Sequence, residues 1–126
     1  MGIVLDSSVV IDLLRGRVAD ESVLALEREP VMVSTVTIHE VLAGLRDGEA
    51  DLTDAILESF VAVPLGSAEA GLSGRWWREY RARGVTLPLA DTLIAATAAI
   101  RGVPLVTGNV RDFPMPELHL EQWPTG

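Results

Sequence analysis

The chain has no cysteine among its 126 residues. Neither a disulfide framework nor a thiolate metal site is therefore open to it, and a metal would have to be held by oxygen ligands or by the two histidines, His39 and His119. Hard divalent ions such as Mg²⁺ or Mn²⁺ suit that donor set best. No apolar run approaches the roughly 20 residues that a membrane span needs. The opening Met1-Gly2-Ile3-Val4-Leu5-Asp6 also lacks the basic region and long apolar stretch of a signal peptide, so a cytoplasmic location and no membrane partner are expected. Lysine is absent as well: all ten basic residues are arginine, whose planar fork suits phosphate and carboxylate alike. Against 18 acids they leave a net charge of -8, which argues against a nucleic-acid partner because basic patches supply most nonspecific affinity for phosphate. The objection weakens if several of those charges share one metal-binding cleft, or if a basic partner covers them.

What is present is a 48% hydrophobic chain, long enough for one core and short for two, so residues 1–126 are read as one domain. Ile3-Val4-Leu5 reads as a short strand ending at Asp6, after which Ser7-Ser8 can cap a helix running to Gly16. A second helix is expected over Asp20 to Arg28, a strand at Val31-Met32-Val33, and a helix carrying Val41, Leu42 and Leu45 with Glu40 near its first turn. Ala50 to Phe60 has helical spacing, Val61-Ala62-Val63 reads as a third strand, and Ser67 can cap a helix to about Arg83. Pro88 opens a helix from Leu89 to Ile100 with almost no polar face, which predicts burial all round. Val103 to Val106 gives a fourth strand, and Leu118 and Leu120 suggest a short last one.

Alternating strands and helices imply an α/β fold with a mainly parallel sheet and helices on both faces. In such sheets the functional crevice lies beyond the carboxyl ends of the strands. Asp6 and Asp112 follow expected strands, and Glu40 and Asp91 start expected helices, so all four acids could open onto that one edge. Carboxylates repel by roughly 4 kcal/mol at 4 Å in an effective dielectric near 20, so four together call for a cation.

Each acid also has a plainer reading. Asp6 could cap the next helix. Glu40 could complete a capping box with Thr37. Asp91 could favour a helix dipole, although its apolar surroundings argue for pairing or a metal. Asp112 could be a solvated loop residue beside Asn109 and Arg111. Asp12 is read as structural, bonding a nearby arginine or backbone group, and both histidines as packed or surface side chains. The stretch Arg75-Trp76-Trp77-Arg78-Glu79-Tyr80-Arg81-Ala82-Arg83 mixes four arginines with three aromatics, and helical spacing brings Arg75, Arg78 and Arg81 towards one side. They could meet RNA phosphates and bases. The plainer expectation packs Trp76 and Tyr80 inward and leaves the arginines solvated or paired with acids.

Four segments taken together resemble the PIN-domain ribonucleases, and among them the VapC-type toxins of bacterial toxin–antitoxin modules. They are Val4 to Leu14, with Asp6-Ser7-Ser8; Ser34 to Leu45, with Glu40; Leu89 to Ala98, with Asp91; and Val106-Thr107-Gly108-Asn109-Val110-Arg111-Asp112-Phe113. The resemblance implies a three-layer PIN fold in which Asp6, Glu40, Asp91 and Asp112 hold Mg²⁺ or Mn²⁺, with Thr107 and Asn109 as supporting polar residues. It also implies endoribonuclease activity, a homodimer, and a cognate VapB-type antitoxin whose tail occupies the cleft. A catalytically silent PIN-like domain acting through protein contacts, and a phosphatase or flap-type nuclease on a similar acidic cleft, are the competing readings.

Overall fold

A computed structural model describes residues 2–17 and 26–124. Its five strands are β1 (Ile3–Leu5), β2 (Val31–Ser34), β3 (Val61–Val63), β4 (Leu105–Thr107) and β5 (Leu120–Gln122). They pair in the order β3-β2-β1-β4-β5, every pair parallel. The register sets Val4 opposite both Met32 and Leu105, and Leu5 opposite Val106. Parallel strands covered on both faces are expected to be apolar throughout rather than alternating, and Ile3, Val4 and Leu5 have no solvent exposure.

Because successive side chains in a strand point to opposite faces, these strands feed two separate cores. Val4, Met32 and Leu105 join one, with Trp76, Tyr80, Ile94, Ala95 and Ala98. Ile3, Leu5, Val33 and Val106 join the other, with Val9, Val10, Val41 and Trp123. Each fully buried aliphatic side chain contributes about 1.5–3 kcal/mol, so β1 alone anchors both layers. Gly2 leads into β1 where a Cβ would lie 2.2 Å from the Pro30 carbonyl oxygen, so only glycine permits this approach of the two segments.

Five α-helices lie among the described residues: α1 (Ser7–Leu14), α2 (Thr35–Ala43), α3 (Ala50–Glu58), α4 (Ser67–Ala82) and α5 (Leu89–Arg101). The helix expected over Asp20 to Arg28 falls largely outside the described residues. α2 starts three residues earlier than its Thr37-x-x-Glu40 pattern suggests, because the Ser34 side chain accepts from the Val36 N–H and acts as the cap. Glu40 therefore lies in the second half of α2, and the capping-box reading does not hold. α4 is capped at Gly66, whose N–H donates to Glu69, rather than at Ser67. In α5 the central turns from Ile94 to Ala98 are buried, but Leu89 and Ile100 at its ends are exposed, so burial is not all round. Gly102 ends the helix at φ +65°, a left-handed conformation that costs glycine little. β4 begins at Leu105, two residues later than expected, and ends one residue later at Thr107, while β5 begins at Leu120 rather than Leu118. Among the described residues, no helix is long and apolar enough to cross a membrane.

Candidate active site

The chain runs from β1 outward to β2 and β3, then returns to β4 on the other side of β1. The sheet thus reverses its order between β1 and β4, where the connecting segments diverge and leave a crevice at the carboxyl ends of the strands. Asp6 is the first residue after β1, and Thr107 is the last of β4. They meet directly: the Thr107 hydroxyl donates to Asp6 Oδ2 at 2.7 Å.

Asp6 is 5% exposed and is gripped from several sides. Its Oδ1 accepts the Ser7 N–H at 2.8 Å, and its Oδ2 also accepts from the Ser8 hydroxyl at 3.3 Å. Asp6 itself, not Ser7 or Ser8, is the cap of α1, so the plain reading of this residue holds alongside any functional one. Ser8 in turn accepts the Gly108 N–H at 3.1 Å, which ties the segment after β4 to the start of α1. Ser7 uses its hydroxyl on Glu40, donating to Oε1 at 2.6 Å, and so fixes α2 against α1 at the same edge. Asn109 takes part through its backbone, whose N–H donates to Thr107 Oγ1 at 3.0 Å.

Asp91 stands in the first turn of α5 and is half-buried. Asp112 closes the single 3-10 turn Val110–Asp112 and is exposed, beside a depression of about 260 Å³ that Asn109, Arg111 and Gln122 help to line. Electrostatics connect these residues. Burial, followed by the charges of Asp6, Asp112 and Glu40, pushes the Asp91 carboxyl from its ordinary 3.8 up to about 6. Asp6 is also raised, by burial first and by Glu40 last, against the lowering effect of its hydrogen bonds from Thr107, Ser7 and Ser8. None of the four acids has an arginine or histidine at ion-pair distance among the described residues. Nor, among those residues, are three acid or imidazole groups already gathered at metal-holding separations.

The fold thus brings all six residues singled out from the sequence to one edge, with unequal shares. The residues sequence reasoning undervalued are Ser7 and Ser8, read there only as caps; two hydroxyls directly after a buried aspartate were the available signal. Asp12 accepts from Arg17 at 3.1 Å and from the Trp123 indole at 3.2 Å, as its structural reading anticipates. His39 and His119 are both exposed.

The PIN domain family matches residues 3–114, and the chain belongs to that family. Ribonuclease VapC10 of Mycobacterium tuberculosis is 38% identical over 115 residues, an alignment covering 90% of this chain and 86% of that protein. A VapBC from Salmonella typhimurium, solved bound to DNA, shares the fold at a TM-score of 0.84 over 98% of both chains, with 20% identity. A toxin–antitoxin complex from Klebsiella pneumoniae superposes at a TM-score of 0.76 with 28% identity, over 93% of this chain and 95% of that one.

Proposed function

We propose that this protein is a metal-dependent endoribonuclease and the toxin of a toxin–antitoxin module, hydrolysing RNA phosphodiester bonds with Mg²⁺ or Mn²⁺ at the acidic site of Asp6, Glu40, Asp91 and Asp112. The observation that carries the reading is the convergence of acids from four elements on one sheet edge: Asp6 is held by Thr107, Glu40 is tied to α1 by Ser7, and the Asp91 carboxyl is pushed up to about 6, by burial first and then by the charges of Asp6, Asp112 and Glu40, with no cation paired to any of the four among the described residues. Such a frustrated set of hard oxygens is what a divalent ion relieves, and the donor chemistry fits Mg²⁺ or Mn²⁺. The similarity to a Mycobacterium ribonuclease and to a Klebsiella toxin–antitoxin complex supports the same reading.

A bound ion supplies Lewis acidity towards a phosphodiester and lowers the pKa of a water molecule. Asp6 contributes an acceptor whose orientation is fixed by three donors, and each of its oxygens keeps lone-pair capacity beyond those bonds. Asp91 contributes a second direct ligand from the start of α5. Glu40 has one oxygen committed to Ser7, which aims the other to orient the attacking water and take its proton. Asp112, at the open lip, shapes the outer side of the site. In this reading the protein works in the cytoplasm, as a homodimer, and is silenced by a VapB-type antitoxin.

RNA cleavage by the purified protein in Mg²⁺ or Mn²⁺, its loss on chelation, and its loss in Asp91→Asn test the proposal. Asp6→Ala is less clean, because it also removes the cap of α1, worth about 1 kcal/mol, and strands the Thr107 hydroxyl. Cleavage that persists in EDTA, or equally in Asp91→Asn, rejects the mechanism; metal binding without any RNA cleavage favours the silent, protein-binding alternative.

A further inference from the structure

Of the ten arginines in this acidic protein, four are paired with carboxylates, two more, Arg46 and Arg111, stand singly and exposed on separate segments, and four are clustered. Arg15, Arg17, Arg28 and Arg101 each pair with a carboxylate, Glu49, Asp12, Glu121 and Glu69 respectively, at 2.7 to 3.4 Å. Arg75, Arg78, Arg81 and Arg83, grouped in the second half of α4 and at its end, are exposed and have no carboxylate within 4 Å among the described residues. Acids outnumber arginines 18 to 10, so pairing them would have been easy. Instead Trp76 and Tyr80 are buried beneath them, and two guanidinium groups are held on aromatic rings: Arg81 over Trp77 at 5.0 Å and Arg83 over Tyr80 at 4.9 Å. A stacked guanidinium is restrained in orientation yet keeps its N–H donors turned to the edge, free for an anion.

Position adds to composition. α4 and α5 pack as consecutive antiparallel helices, Glu69 near one start meeting Arg101 at the other end, so the arginine-rich end of α4 lies by the start of α5 that carries Asp91. The Trp77 indole donates to the Leu87 carbonyl at 3.2 Å, just before that start. The Tyr80 hydroxyl donates to the Pro114 carbonyl at 3.1 Å, two residues beyond Asp112. One buried tyrosine and one half-buried tryptophan therefore brace the arginine cluster against both segments that bring outer acids to the site.

We infer that Arg75, Arg78, Arg81 and Arg83 form the docking surface for the backbone of a single-stranded RNA substrate whose scissile phosphate lies among the acids. The inference rests on the ribonuclease reading and locates where affinity for substrate comes from. A cleft of four carboxylates repels phosphate until its cation is bound, so attraction has to be supplied from beside it. An acidic protein segment would also meet cationic groups; RNA is favoured because the cluster adjoins the acids of a nuclease site.

The test is equilibrium binding of a fluorescent single-stranded oligoribonucleotide to full-length Asp91→Asn protein, alone and with all four arginines changed to Gln or to Lys. Steady-state cleavage is measured in the otherwise native chain. The Gln set should weaken binding at least tenfold and flatten the slope of log affinity against log salt by about 2 to 3, at about 0.7 for each phosphate no longer neutralised. It should raise KM while leaving kcat in place, and the Lys set should restore the slope, since lysine also neutralises phosphate. Melting curves check that the variants fold, and if the fourfold Gln set does not, single Arg75→Gln and Arg78→Gln proteins decide, each expected to flatten the slope by about 0.7 and an unchanged slope in both overturning the docking surface. Equal affinity and slope in parent and Gln proteins, with cleavage intact, overturn the docking surface alone. Absence of RNA binding and cleavage by the unaltered protein overturns the ribonuclease reading with it. Unchanged RNA binding with lost capture of a protein inhibitor assigns the cluster to a protein partner and also overturns the inference.

Discussion

Asp6 and Glu69 are both 5% exposed, yet their carboxyls move in opposite directions. Glu69 is lowered, first by its own backbone N–H and then by the Arg101 guanidinium, with the Gly66 N–H adding to both. Its cover is local, a cap and one cation near the surface. Asp6 lies deeper, so burial outweighs its three donors, and the charge that acts on it is negative, that of Glu40. One region settles its charge within the protein, whereas the other leaves Asp6 and Asp91 raised by burial and by the charges of neighbouring acids. Structural carboxylates are built the first way, and the second persists where something outside the chain completes the balance.

Neutralising one acid at each place breaks the comparison most sharply. Asp91→Asn should reduce kcat/KM for RNA cleavage by at least about 100-fold with melting temperature preserved, whereas Glu69→Gln should leave it within about twofold. Next in size, Ser7→Ala frees Glu40 from its 2.6 Å hydrogen bond and should cost about tenfold in kcat, as partners that orient ligands typically do. Equal activity of the Ala protein would remove Ser7 from the site. Arg101→Ala leaves Glu69 without its cation and should destabilise by about 1–2 kcal/mol in urea unfolding, a modest figure because Arg101 is partly solvent-screened, with cleavage of RNA retained.

The smallest effect is a pH dependence with a definite sign. The folded Asp91 carboxyl titrates at about 6 against an ordinary 3.8, so the folded state holds a proton that the unfolded state releases between those values. Its stabilisation is full below 3.8 and is lost as pH rises through about 6. After discounting for a half-buried group, metal-free protein should lose on the order of 1 kcal/mol between about pH 4.5 and 7.5 through this residue. Asp91→Asn should abolish that loss, and saturating Mg²⁺ or Mn²⁺ should suppress it. A metal-free protein whose stability rises over the same window, identically in both proteins, contradicts the coupling.

Much of this was legible in the residues. Ile3-Val4-Leu5 announced a buried parallel strand because it offers no polar face, and the apolar run after Asp91 announced a covered helix. Helix starts were less legible where several hydroxyls compete: Ser34, Thr35 and Thr37 all qualify as caps, and Ser34, the last residue of β2, takes the role, which moves Glu40 into the second half of α2. Pairing partners lay beyond local pattern altogether. Four arginines within nine residues were plain in the chain, but their lack of carboxylate partners was a matter of which surfaces α4 turned outward.

The sequence by itself determined the elements and the supply of hard oxygen donors, since hydrophobic spacing and side-chain chemistry act locally. Only the tertiary structure decided that Thr107, 101 residues away, would donate to Asp6 and that Ser7 would reach Glu40. The reason is topological: the strand order reverses between β1 and β4, and no short-range preference encodes which strands become neighbours.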